Sequence, residues 1–222
     1  DEPWHQGETV IAGIGQGFVL LTPLQMALMT ARLANGGRAI TPHLTRAIGG
    51  NAGAPRQPAD VPSMNIPPGH LAIVTEAMNR VVNHPTGTAR RSETGIEEFP
   101  MAGKTGTVQV RRISKLEREQ GVRKNEDLPW KYRDHALFVG FAPVENPRYA
   151  ISVVVEHGGG GSSTAAPIAR DVLVEAYNRQ SAGPGLPIAY DDRPRNGNSD
   201  SATASSGEPA PTEIADRGEG GG

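Results

Sequence analysis

The chain has 222 residues, 36% of them hydrophobic, with a formal net charge of −2 and no cysteine. This near-neutral balance excludes an overall field for nucleic acid or an anionic membrane, and the missing thiols exclude disulfides and thiolate metal sites. No apolar run reaches the roughly 18 residues that a membrane span needs, and no stretch reads as a signal peptide.

The chain starts at Asp1, close to its first apolar stretch, so the expectation is a piece of a longer protein with any anchor or export signal upstream. Gly13, Gly15 and Gly17 read as a turn that leads into a helix beginning at Thr22 and packs near a functional cleft. Thr22 can cap that helix, Pro23 fits the first helical position, and Gln25 completes a capping box. Leu24, Leu28 and Ala31 recur at helical spacing, with Ala27 and Ala34 on the same face, and Asn35-Gly36-Gly37 stops the run. A second helix is predicted from His70 to Val82, with Leu71, Val74, Met78 and Val81 on one face and a stop at Asn83-His84-Pro85.

After residue 99 the period changes from helical to two. Met101–Val110, Ala136–Ala142 and Tyr149–Glu156 read as strands, and the Pro-rich turn at 143–147 makes the last two a hairpin. Between the first and second strands lies a charged insert, 111–134, whose interleaved Arg, Lys and Glu residues suggest a solvated helical hairpin. Gly158–Gly161 breaks the chain, with Ser162 and Ser163 beyond it. This run reads as an anion nest or as a plain turn. A final helix is predicted over Ala165–Asn178, with Ile168, Val172, Leu173 and Ala176 facing inward. Strands followed by a terminal helix predict an α+β fold, an antiparallel sheet flanked by helices. Residues 1–180 form the folded part. From 181 to 222 the chain turns to Gly, Pro, Ser, Ala and Asp with a single aromatic, Tyr190, which predicts a disordered tail.

The motif that carries chemistry is Ala102-Gly103-Lys104-Thr105-Gly106-Thr107. A phosphate-binding P-loop would need glycine where Glu98 stands, and a helix where Thr107–Val110 alternates. Gly13-x-Gly15-x-Gly17 fails as a dinucleotide fingerprint, because Phe18 replaces the third glycine and 33–59 holds no acidic residue. The bland reading of the Lys104 strand has to explain a glycine in mid-strand, which costs stability unless another backbone comes close. The functional reading supplies one: a substrate backbone docked along the strand, as in β-augmentation. Gly106 would let it approach, Lys104 would give a fixed cation, Thr105 a hydroxyl for a carboxylate, and the Thr107 N–H a donor for a developing oxyanion.

The six histidines show no metal spacing, and no motif demands a cofactor. His135 and His157 read as structural or solvated. Ser63-Met64-Asn65 lies in a Pro-rich loop and reads as loop.

In order, Gly13–Gly17, Leu21–Met26, Leu33–Gly37, Gly87-Thr88-Ala89, Met101–Gln109, Asp134–Pro143 and Tyr149–Gly158 resemble the segments around the third motif of class B penicillin-binding proteins. The long insert before Arg133-Asp134-His135 resembles the penicillin-binding protein 2 branch, which serves cell elongation. The resemblance spans about 9–178 and implies a β-lactamase/transpeptidase-like fold, incomplete at the N-terminal side. It implies a serine D,D-transpeptidase that acylates on the D-Ala-D-Ala end of peptidoglycan stem peptides, is acylated by β-lactams, and sits in the inner membrane with a periplasmic catalytic domain. Cell-elongation proteins would be its partners, and the insert could bind one. Of the family's three motifs, Ser-x-x-Lys, Ser-x-Asn and Lys-Thr-Gly, only the third is placed correctly here, and no serine has lysine three residues on. The nucleophile is therefore expected outside this chain. A D,D-carboxypeptidase or β-lactam sensor of the same fold, and a non-catalytic interaction module, remain as alternatives. The family's last strand pairs with one from the start of the domain, so Tyr149–Glu156 is expected to show an unpaired edge, and the chain to be aggregation-prone.

Overall fold

A computed structural model describes residues 3–44 and 61–181, which fall within one compact unit, Asp1–Ala189. The predicted tail lies outside these residues, except that the last helix runs on to Ser181. The elements in order are α1 (Gln6–Gly13), α2 (Pro23–Ala34), α3 (Pro68–Asn83), β1 (Ala102–Val108), α4 (Lys115–Gln120), β2 (His135–Ala142), β3 (Tyr149–Val155) and α5 (Ala166–Ser181). The three strands form one antiparallel sheet in the order β1-β2-β3.

Alternation along β2 explains the layers. Ala136, Phe138 and Ala142 face one side, where they pack with Ala165, Ala166, Ala169 and Leu173 at the start of and along α5. Phe141 faces the other side and packs with Met78 of α3, Ala102 and Ala34 of α2. The sheet is thus covered on both faces, as the flanked antiparallel sheet predicted. Phe138 is fully buried, and its ring lies over a directly opposed glycine pair, Gly103 and Gly140. A Cβ on Gly103 would come within 2.2 Å of that ring, and one on Gly140 within 2.7 Å.

Among the described residues, β1 and β3 each have one edge without a strand partner. For β3 this is the open edge that the sequence suggested.

The Thr22 cap forms on both sides: the Gln25 N–H donates to Thr22 Oγ1 at 3.2 Å, and the Thr22 N–H donates to Gln25 Oε1 at 2.8 Å. Several expectations need correction. Strand β1 is shorter than Met101–Val110, ending at Val108. Ile168 and Val172 are 42% and 53% exposed. The inward residues of α5 are Ala166, Ala169 and Leu173, spaced three and four apart and continued by Ala165 just before the helix, and the two β-branched residues sit on the neighbouring stripe. Val74 on α3 and Leu24 on α2 also point outward. The glycine-rich start was read as a turn only, but a helix, α1, precedes it. That helix buries no residue, and most side chains from Trp4 to Leu24 are exposed, so the segment is not packed at a cleft here.

The insert is not a helical hairpin. It holds one short helix, α4, closed by Gly121 at φ 102°, and two short 3₁₀ turns, Asn125–Asp127 and Trp130–Tyr132. Its charges serve local anchoring instead, as described below.

Candidate active site

Strand β1 carries the chemistry-bearing residues on the rim of the sheet. Its entry is pinned: Asn83 Nδ2, at the end of α3, donates to the Met101 carbonyl at 2.9 Å. Beyond Met101 the side chains alternate between faces. Lys104 shares the face of Ala102 and Gly106, and Thr105 shares that of Gly103 and Thr107. Lys104 is exposed, and its Nζ donates to the Thr105 carbonyl at 2.6 Å. Among the described residues it has no carboxylate partner. Thr105 Oγ1 lies 3.2 Å from Thr88 Oγ1. Thr107 is exposed near the end of the strand. The strand runs through Val108 with no helix after it, which removes the phosphate-loop reading on structural grounds.

The two glycines flanking Lys104-Thr105 differ. Gly103 is demanded by the Phe138 ring and by the Val139 oxygen, which would lie 2.6 Å from a Cβ there. A Cβ on Gly106 would meet Leu137 Cβ at 3.2 Å, a tight contact but far milder than that at Gly103. Internal packing therefore bears less heavily on glycine at 106 than at 103. Gly161 does press on this part of the sheet. A Cβ on Gly161 would come within 2.3 Å of the Leu137 oxygen and 2.4 Å of the Gly106 oxygen. The loop 158–161 thus serves as a turn seated on the sheet. The N–H groups of Gly158 and Gly159 already donate to Val155 O and Asp134 O, which leaves them unavailable as an anion nest.

His135 and His157 hold that turn. The His157 backbone N–H donates to His135 Nδ1 at 2.8 Å, and His157 Nδ1 bonds the Arg133 carbonyl at 2.9 Å. The two rings stack edge-to-face at 4.6 Å, with Trp130 on the outer side of His157. Both histidines are structural, as read from the sequence. Ser63 Oγ accepts from the Asn65 N–H at 3.0 Å, and Ser63 bridges Arg38 within a loop.

The insert leaves the end of β1 and is closed on itself at two points. Arg111 and Glu117 make two parallel bonds of 2.7 and 2.6 Å, and the Arg123 N–H adds a third to Glu117. The bidentate Arg111 contact holds the Glu117 carboxyl at about 2, well below an ordinary 4.5. Asn125 pairs with Asp134 through both its amide groups, at 3.0 and 2.8 Å.

A model of the penicillin-binding protein transpeptidase domain matches residues 1–174, well over half of the chain. The chain belongs to the penicillin-binding transpeptidase family. Peptidoglycan D,D-transpeptidase MrdA of Haemophilus influenzae is 39% identical over 180 residues, which is 80% of this chain and 27% of that protein. Among solved structures, penicillin-binding protein 2 of Pseudomonas aeruginosa matches at a TM-score of 0.62 and 38% identity, covering 86% of this chain and 36% of that one. The complex of penicillin-binding protein 2 with MreC from Helicobacter pylori matches at 0.63 and 33% identity, over 80% and 28%. The transpeptidase relatives agree with the branch that the insert suggested. The chain spans roughly a quarter of the length of the curated relatives it matches.

The sequence did not assign a role to Gly87-Thr88-Ala89, which the fold sets against β1, nor anticipate Gly161 seated on Gly106. Both contacts join residues far apart in the chain, and only the mid-chain glycines hinted at them.

Proposed function

We propose that this chain forms one wall of a serine D,D-transpeptidase site that cross-links peptidoglycan stem peptides and is acylated by β-lactams. The single observation that carries this is the open outer edge of β1 bearing an exposed lysine with no carboxylate partner among the described residues. In a strand, the N–H and C=O of one residue face the same side, and residues two apart share it. The Thr105 carbonyl takes the Lys104 ammonium, which supports an outward direction for Thr105 and, two on, for Thr107.

A stem peptide laid along this edge adds a strand, with Gly106 giving room. Lys104 and Thr105 hold its terminal carboxylate. The Thr107 N–H donates to the carbonyl oxygen as negative charge develops there, a contribution of about 10²–10³ in rate for one such donor. A serine outside this chain attacks that carbonyl, terminal D-Ala leaves, and the resulting ester passes to an amine of a second stem. The name of the MrdA relatives favours this amine acceptor over water.

The fold then lies on the periplasmic face of the inner membrane, held by an anchor outside this chain. Among the described residues no helix is long and apolar enough to cross a membrane. By analogy with the Helicobacter pylori complex, we assign a cell-elongation protein as partner. We set the boundary of the transpeptidase part at about residue 180, with 181–222 as a tail.

Fluorescent penicillin tests the division of the site. The isolated 222-residue chain should take up no covalent label, and the full-length protein should be labelled. Covalent label on any serine of the isolated chain would sink the reading.

A further inference from the structure

One contact is left unused by the acyl-transfer reading, and it joins two hydroxyls. Thr88 Oγ1 and Thr105 Oγ1 are 3.2 Å apart. Each hydroxyl owns a single proton. If Thr105 donates to Thr88, it has no proton left for a carboxylate. If Thr88 donates, the Thr105 proton is turned outward.

The segment that carries Thr88 is fixed on both sides. Before it, Asn83 ties the end of α3 to Met101, and the Gly87 N–H donates to the His84 carbonyl at 2.8 Å. Gly87 itself has no room for a side chain, since a Cβ would lie 2.4 Å from the Val81 oxygen. The Thr86 N–H donates to His84 Nδ1, so that nitrogen is an acceptor and takes the Thr86 hydroxyl proton at 2.9 Å. After it, the Ala89 N–H bonds the Val81 carbonyl at 2.9 Å, and the Ala89 side chain is buried. Thr88 is held between these anchors, exposed, with its hydroxyl at β1.

We propose that Thr88 is a positioning residue of the carboxylate subsite: its hydroxyl donates to Thr105 and so aims the Thr105 proton at the C-terminal carboxylate of the stem peptide. This rests on the carboxylate role proposed above for Thr105. A carboxylate accepting from Thr105 polarises that hydroxyl and strengthens the bond from Thr88, so the pair acts as a two-link relay of hydrogen bonds.

The test uses the full-length protein with Thr88→Val, Thr88→Ser and Thr105→Val. Acylation rates are measured for two D-Ala-D-Ala-type donors that differ only at the C-terminus, free carboxylate against methyl amide. Thr88→Val should slow the carboxylate donor about 5- to 30-fold and leave the amide donor within about 2-fold, and Thr88→Ser should restore the first rate. Equal losses on both donors would mean a merely structural role and overturn the proposal. No loss for Thr88→Val, beside a selective loss for Thr105→Val, would overturn it while leaving the Thr105 reading intact. No selective loss for Thr105→Val would remove the carboxylate role and this proposal with it.

Discussion

Replacing Gly161 by alanine puts a methyl group where two backbone oxygens already stand. The new Cβ would sit 2.3 Å from Leu137 O, 2.4 Å from Gly106 O and 2.9 Å from Gly106 N. Ordinary carbon-to-oxygen contacts need roughly 3.2 Å or more, so something must move by about 0.9 Å. The obstacles belong to two paired strands, and neither can step aside as a side chain would. The turn Gly161–Ala165 must lift instead, away from Phe138 and the start of α5. Overpacking of this kind costs about 2–3 kcal/mol, or a melting midpoint lower by roughly 4–12 °C for a domain of this size. Gly106→Ala is the matched control. Its Cβ meets Leu137 Cβ at 3.2 Å, a clash of a few tenths of an ångström against one of about 0.9 Å, and alanine loses less backbone entropy than glycine, so stability should fall by no more than about 1 kcal/mol. Yet Gly106→Ala should slow penicillin acylation of the full-length protein, because it narrows the approach to β1. Thermal unfolding with acylation kinetics on both variants decides the matter. A Gly161→Ala protein as stable as the parent would refute the packing argument, and unchanged acylation in Gly106→Ala would refute the docking argument.

Two further outcomes are expected. Lys104→Ala in the full-length protein should lower acylation by about 10- to 150-fold, the range for losing a charge-assisted hydrogen bond, with no change in melting midpoint, since the side chain is exposed. Full acylation by Lys104→Ala would exclude the lysine from the site. The insert should loosen in acid. Glu117 titrates at about 2 in the fold against an ordinary 4.5, so its contribution is complete above 4.5 and is lost as pH falls from there through about 2. The protection factor of the Arg123 amide, which donates to Glu117, should fall across that window once the intrinsic pH dependence of exchange is divided out, and in Glu117→Gln it should be low and independent of pH.

The sequence spoke most clearly where a local rule suffices. Thr22, Pro23 and Gln25 specify a helix start by contacts within four residues, and that cap forms as read. Alternation at Ala136–Ala142 and Tyr149–Val155 locates two strands, because one buried face enforces a period of two. The candidate residues Lys104 to Thr107 were legible as sharing one strand, and that strand forms. Legibility failed where the answer depends on a distant neighbour. At the start of α5 the small residues Ala166 and Ala169, with Ala165 before them, take the inward positions against Phe138, while Ile168 and Val172 stay exposed. In the insert, interleaved charges resembled helical pairs, but Gly121 ends the only helix and Arg111 reaches across to Glu117. Thr88 and Thr105 are 17 residues apart, and no spacing rule connects them.

The Phe138 ring seated over Gly103 and Gly140 also constrains how this sequence can drift. Two of the three positions hold no side chain because the ring at the third and a backbone oxygen together fill their space, and Gly103 is bonded directly to Lys104. A Cβ at 103 would also stand 2.6 Å from the Val139 oxygen, and one at 140 the same distance from the Ala102 oxygen, so a smaller residue at 138 frees neither position. The placement of an exposed lysine is thereby inherited from the close approach of a buried ring and two paired backbones.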